Sequence, residues 1–246
     1  QNRTSVLFET KQTSGMIDGI PAFYTSKVAP PNIKLLTVNY YDNYEFPNAP
    51  PIPTAVEGQN LLANTKTLAT GSWTRAITMA SATLGETAAI FYDAKARPIR
   101  SSVTNYLGGY TNTDSKLDAF SGQLQYTINK HKRTATDTEL VVKEVFTYSP
   151  QDRLLTHTHQ INGGAVQLLA DNTYDELGQL TSKKVGNTSS MPLQKVDYAY
   201  NIRGWMTGIN NDSTNNLVLN TTEKDLFGFK INYNKVENCN IYTGKE

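Results

Sequence analysis

A chain of 246 residues with a formal net charge of +1 offers no electrostatic reason to expect a nucleic acid or an acidic substrate as its partner. Hydrophobic content of 38%, with 14 Tyr and 16 Gly, suits a sheet with many turns better than a large compact globule. The single cysteine, Cys239, forms no internal disulfide, and no apolar run of about 18 residues could span a bilayer as a helix.

Residues 1–30 mix short apolar runs with Gly15, Gly19 and Pro30, and read as one or two strands with loops. Ile33 to Tyr41 reads as a strand, with Leu36, Val38 and Tyr40 on one face. Phe46 to Pro53 is a Pro-rich connection that cannot be a central strand. Glu57 to Leu68 lacks alternation and reads as a short helix, and Gly71-Ser72 as a turn into a strand over Trp73–Met79. Strands and turns then alternate at Ala88–Tyr92, Ile99–Tyr106, Leu124–Lys130, Leu140–Tyr148, Leu154–Ile161, Gln179–Val185, Leu193–Tyr200 and Trp205–Ile209. Gly163-Gly164 and Gly186-Asn187 mark further turns. This rhythm predicts an all-β chain.

One pattern recurs within it. Tyr174-Asp175-Glu176-Leu177-Gly178-Gln179-Leu180 and Tyr200-Asn201-Ile202-Arg203-Gly204-Trp205-Met206 begin 200 − 174 = 26 residues apart, and another 26 back lies Tyr148-Ser149-Pro150. Tyr92-Asp93 lies 148 − 92 = 56 residues earlier, two units of 28, with Leu117 to Leu124 as a degenerate copy between. Tyr41-Asp42 precedes Tyr92 by 92 − 41 = 51 residues. Asp, Asn or Ser opening a type I turn accepts a hydrogen bond from the backbone two residues on, and Gly closes the turn. Each copy therefore predicts a β-hairpin with a four- or five-residue loop. The Tyr before the turn faces the Leu, Met or Ile after it. In the copies at 92 and 148 the turn glycine is replaced by Ala96 and Asp152, which predicts looser turns or another type there.

These motifs resemble the YD-repeat, or RHS-repeat, family, whose units carry Tyr-Asp-x-x-Gly-(Arg)-Leu at this spacing. Tyr200 to Ile209 is similar to the form found in large surface proteins of Bacteroidetes-type bacteria. Asp225 to Tyr233 looks like the approach to the RHS-associated core. The resemblance implies stacked β-hairpin YD repeats forming a continuous curved sheet, a segment of a spiralling β-shell around a cargo. It places the repeats at 90–235, a degenerate region at 54–89, loosely matched strands and the Pro-rich connection at 1–53, and a divergent or truncated tail at 236–246. It implies a secreted or surface protein of polymorphic-toxin type, whose partners are neighbouring repeats and a C-terminal toxin cargo. The structural repeat residues are then Tyr92, Asp93, Tyr148, Tyr174, Asp175, Gly178, Leu180, Tyr200, Asn201, Gly204 and Trp205. The chain, beginning at Gln1 without a signal segment, reads as an excerpt of a longer polypeptide or a truncated gene.

No catalytic, cofactor-binding or metal-binding residue is assigned, and no nucleic-acid partner or membrane span. His157 and His159 share a strand face as zinc ligands can, with no third ligand nearby; two polar residues on an exposed face is the preferred reading. Asp137 and Glu139 read as a solvated hairpin tip rather than an acid–base pair. Asn210 to Asn216 lacks the Gly and Glu of a calcium loop. Arg97, Arg153 and Arg203 recur beside the turns and suit pairing between repeats. Trp73 and Trp205 read as fillers of the hairpin core; the alternative makes them platforms of an adhesive or carbohydrate-binding module with a carbohydrate or cell-surface ligand.

Overall fold

A computed structural model describes residues 7–30, 32–78, 82–211, 219–220, 222 and 225–234. Among these the chain is all-β, with strands and turns and no helix. It divides into two compact units, residues 1–143 with 161–163, and residues 144–160 with 164–246.

The first unit contains β1 (Met16–Ile17), β2 (Ile20–Pro21), β3 (Thr37–Asp42), β4 (Ala55–Val56), β5 (Gln59–Asn60), β6 (Thr65–Arg75), β7 (Gly85–Tyr92), β8 (Pro98–Thr104), β9 (Gly108–Leu117) and β10 (Leu124–Thr134). It also holds the start of β11 (Leu140–Tyr148). The second holds the end of β11 and β12 (Leu154–Ile161), β13 (Gln167–Tyr174), β14 (Leu180–Val185), β15 (Gln194–Tyr200), β16 (Met206–Ile209) and β17 (Phe229–Lys230). Thirteen strands form one antiparallel sheet, in the order β17 through β6 without interruption and then β3, and this sheet does not close into a barrel. β1–β2 and β4–β5 are separate two-stranded ribbons.

The first unit has an ordinary core. Val38, Tyr40, Trp73, Ala89 and Phe91 on the sheet are buried with Ile20 and Ala22 from the β1–β2 region and Phe46 from the Pro-rich connection. Tyr40 stacks on Phe46 at 4.8 Å and Tyr44 on Phe91 at 4.7 Å. Gly71 and Gly85 lie directly under Phe46 and Trp73, where any Cβ would collide with the rings. Gly71 is therefore interior to β6 and makes no turn, as its packing demands. At the edge of this core, Arg75 donates through Nε to Leu35 O at 2.7 Å and reaches Asp18 and the Ala82 carbonyl with its other nitrogens.

No helix forms over Glu57–Leu68. Glu57 and Gly58 both have positive φ (49° and 72°), which makes the two-residue loop of a tight hairpin between β4 and β5. The Gln59 amide then bonds the backbone of β9, donating to Ser115 O at 2.8 Å and accepting from Leu117 N at 3.0 Å. β3 starts at Thr37, so Leu36 precedes it and is exposed. Two strands went unread in the sequence, β9 and β13: Gly108–Leu117 and Gln167–Tyr174 are rich in Asn, Asp and Thr or Gln, which β-propensity disfavours or leaves neutral. Met79 lies outside the described residues.

The second unit is built differently. Every position of β14 and β15 is half-buried, and in β12 only Ile161 is exposed. Leu168, Ala170 and Asn210 are its buried residues among those described. With neither face fully covered, its order rests on strand pairing and on ties between successive hairpins.

Candidate functional site

The repeated turn is the feature that both units share, and its geometry follows from its first residue. In the second unit Asp175 N–H donates to Gln179 O at 3.0 Å, and Gly178 N–H to Asp175 O at 3.0 Å. Ser149 and Asn201 make the same pair of bonds, with Arg153 O and Trp205 O and from Asp152 N and Gly204 N. In the first unit Asp93 makes them with Arg97 O and Ala96 N. The side chain of the first residue accepts from the backbone four residues on: Gln179 N at 2.8 Å, Trp205 N at 3.0 Å, Arg97 N at 2.9 Å and Arg153 N at 3.3 Å. Only a short side chain with an acceptor oxygen can do this, which explains Asp, Asn or Ser at that position.

The loops hold three residues, shorter than the sequence suggested: a type I turn followed by one left-handed residue, the bulge that returns the chain to the ladder. The left-handed residue is Gly178 (φ 86°) or Gly204 (φ 78°), and Ala96 (φ 59°) and Asp152 (φ 62°) adopt the same conformation. Those two turns are thus neither looser nor of another type. The bulge shifts the register at each neck, pairing Tyr174 with Leu180, Tyr200 with Met206 and Tyr92 with Pro98. Ile99 is therefore not the partner of Tyr92; it is fully buried one residue further on. The copy at 117 is one residue longer, closing from Asp118 N to Gln123 O.

Successive turns are joined in two ways that sequence reading missed. The fifth turn residue lies over the left-handed residue of the next turn. Arg153 covers Gly178 and Gln179 covers Gly204, and in the first unit Arg97 covers Gly122 and donates to Asp118 O at 3.2 Å. The Arg153 guanidinium also sits 5.8 Å from the Tyr174 ring centroid. Arg203 belongs two positions earlier in its turn and stacks on its own Trp205 at 5.3 Å, so it is not the equivalent of Arg97 and Arg153. Secondly, the repeat tyrosine donates its hydroxyl to the carbonyl just past the previous turn. Tyr174 reaches Leu154 O at 2.9 Å, Tyr233 reaches Met206 O at 3.0 Å, and Tyr92 reaches Ala69 O at 2.6 Å. Tyr41 pairs with that Ala69, so the β3–β6 hairpin is itself a copy with a long insertion in its turn. Tyr233 occupies the repeat-tyrosine position 233 − 200 = 33 residues after Tyr200. The strict 26-residue spacing concealed it.

Burial works to raise the Asp93 carboxyl, but hydrogen bonds from Arg97 and from Lys95 N outweigh it and hold it below the usual carboxylate range. Asp93, Lys95, Arg97, Gln59 and Lys116 line a cavity of about 460 Å³ in the first unit. Its cations are engaged: Lys95 Nζ donates to Ala119 O, Lys116 Nζ to Glu57 O at 2.8 Å, and Arg97 Nε to Asp93 Oδ2 at 2.7 Å.

The remaining candidates fall apart chemically. A register shift separates His157 from Thr158, and the His157 ring stacks on Phe146 at 4.4 Å with Nε2 3.5 Å from Glu144 Oε1. Among the described residues no group of three His, Cys, Asp or Glu could hold a metal. Asp137 accepts from Thr134 N within its own turn, whereas Glu139 accepts from Tyr110 Oη. Residues 212–216 of the calcium-loop candidate, and Cys239, lie outside the described residues. Trp73 is buried at 8% exposure, but Trp205 is 44% exposed beside Tyr233, with ring centroids 5.1 Å apart. The tip position of the turn explains this: it has solvent on one side, so Trp205 fills no hairpin core.

No protein-family model matches this chain, and comparison with curated proteins finds no match either.

Proposed function

We propose that this chain is a non-catalytic structural segment of an RHS/YD-repeat shell that encapsulates or presents a C-terminal effector of polymorphic-toxin type, in a secreted or cell-surface protein. The observation that carries the reading is the joint between successive turns: a long polar side chain over the next left-handed residue, and a tyrosine hydroxyl on the previous carbonyl. Such a joint uses the fixed geometry of each hairpin to set the next one, which a scaffold needs and an isolated binding site does not. The half-buried faces of β12, β14 and β15 suit a wall that has a lumen on one side and solvent on the other. The test is to read the parent gene beyond Glu246 and to image its full product by electron microscopy. A hollow particle that shields the C-terminal segment from protease is the expected result. A product with no enclosed volume, whose C-terminal segment is cut as fast as the same segment expressed alone, sinks the reading.

A second reading, a surface module that binds carbohydrate, is favoured by one observation: Trp205 and Tyr233 form an exposed aromatic pair flanked by Arg203. Its test is retention on a glycan array. Binding that survives Trp205→Ala removes this reading, and loss of binding in Trp205→Ala with an unchanged fold supports it.

A further inference from the structure

β3 is the outermost strand on its side of the sheet, and such a strand leaves one row of backbone groups without a strand partner. The phase of that row is fixed. Arg75 N–H donates to Leu36 O, so residues 36, 38 and 40 exchange bonds with β6, and the carbonyls of Thr37, Asn39 and Tyr41 point outward. Two of these are taken up by side chains from the hairpin of residues 10–25. The Tyr24 hydroxyl donates to Asn39 O at 3.0 Å, and Lys11 Nζ donates to Tyr41 O at 3.5 Å and to the Asn43 side chain. Lys11 and Tyr24 stand opposite each other across a bridge of that hairpin, so both donors arrive together. The Glu9 carboxylate clasps its base, accepting from Thr25 Oγ1 and from the N–H groups of Lys27, Val28 and Ala29.

We propose that the hairpin of residues 10–25 is an edge cap, and that the surface it withholds is a docking strand for β3 of a second copy of this chain. The choice of occupant comes from the strand's self-complementarity. Antiparallel pairing about a two-fold axis at Asn39 sets Asn39 against itself and Thr37 against Tyr41 in hydrogen-bonded pairs. Val38 then faces Tyr40, so the core face of one copy runs on into the other, and Asp42 meets Leu36 with no like charges opposed. Because the same patch is used on both copies, association stops at two. This holds whatever the larger protein encloses.

The experiment uses the full chain with Cys239→Ser and Asn39→Cys, with and without Lys11→Ala/Tyr24→Ala, under mild oxidation. Thr138→Cys, on an exposed turn between β10 and β11, is the control position in the same uncapped background. The uncapped chain is expected to dimerise in sedimentation. It should also cross-link through position 39 at least about tenfold faster than the capped chain and than the position-138 control, the scale of losing two ordinary hydrogen bonds. An uncapped chain that stays monomeric, or that cross-links equally at 39 and 138, overturns the proposal. Should the double alanine variant lose its β-sheet circular dichroism, Lys11→Ala/Tyr24→Phe removes both donors and keeps the ring. The same ordering of rates is required of it, and its absence overturns the proposal equally.

Discussion

At the scale of single residues, the turns show what a side chain must be and what it merely happens to be. Gly178 is under two constraints, a φ of 86° and the Arg153 guanidinium lying where its Cβ would go. Ala96 shows that alanine can hold the conformation, so Gly178→Ala should cost about 1–2 kcal/mol from the backbone alone. Further loss should come from displacing Arg153 off the Tyr174 ring. Chemical denaturation of Gly178→Ala, Arg153→Ala and the double variant separates the two parts. Coupling of about 0.5 kcal/mol or more is expected, and strict additivity would dissolve the joint. Glu9 offers a test by pH. The Thr25 hydroxyl first, and then the backbone N–H groups of residues 27–29, lower its pKa from 4.5 to about 2. A carboxyl lowered on folding stabilises the fold above its ordinary value and loses that contribution as pH falls towards the folded one. Wild-type protein should therefore lose stability between about pH 4.5 and 2. Glu9→Gln should be less stable at neutral pH and flatter across that window in acid titrations of denaturant midpoint.

The element that matters is the step from one hairpin to the next. Tyr92→Phe and Tyr174→Phe remove equivalent hydroxyls but should differ in cost. Tyr92 is buried, whereas Leu154 O keeps a second donor, Asn172 Nδ2 at 3.0 Å, when Tyr174 loses its own. Losses of about 1.5 and about 0.5 kcal/mol respectively are expected from calorimetry. Much of this level was legible in advance. Asp or Asn followed three residues later by Gly sufficed to place the hairpins at 174 and 200, because turn chemistry is local. What stayed hidden was what depends on a neighbour: Arg153 over Gly178, the Tyr hydroxyl on a carbonyl 20 residues back, and Tyr233 as a late copy. Polar strands such as β9 escaped because pairing on both sides gives them an order their composition does not announce. The helix expected near Glu57 failed because two consecutive positive-φ residues outrank a loose apolar spacing.

At the scale of the whole molecule the two units should answer to different perturbations. The first has an aromatic core, so Trp73→Ala should cost about 3–5 kcal/mol. Burial, before any neighbouring tyrosine, pushes the Tyr40 and Tyr44 hydroxyls up to about 12. A phenol raised on folding stabilises the fold below its ordinary pKa, near 10, and that contribution fades as pH climbs to about 12. Ultraviolet titration should show these two tyrosines ionising late and together with loss of the near-ultraviolet signal of this core. Early ionisation at pH 10 with the core intact would contradict their burial. The second unit has few wholly buried residues, so single truncations there should be mild and losses at the joints should dominate. That joint also bears on ancestry. Because one residue of a turn fits the next turn's backbone, the quantity that heredity preserves is a pair of residues 178 − 153 = 25 positions apart. Duplication of whole units carries such pairs along intact. Among descendants of one ancestral array, the fifth residue of one turn and the fourth of its successor should therefore drift in concert, leaving a covariation signal offset by one repeat.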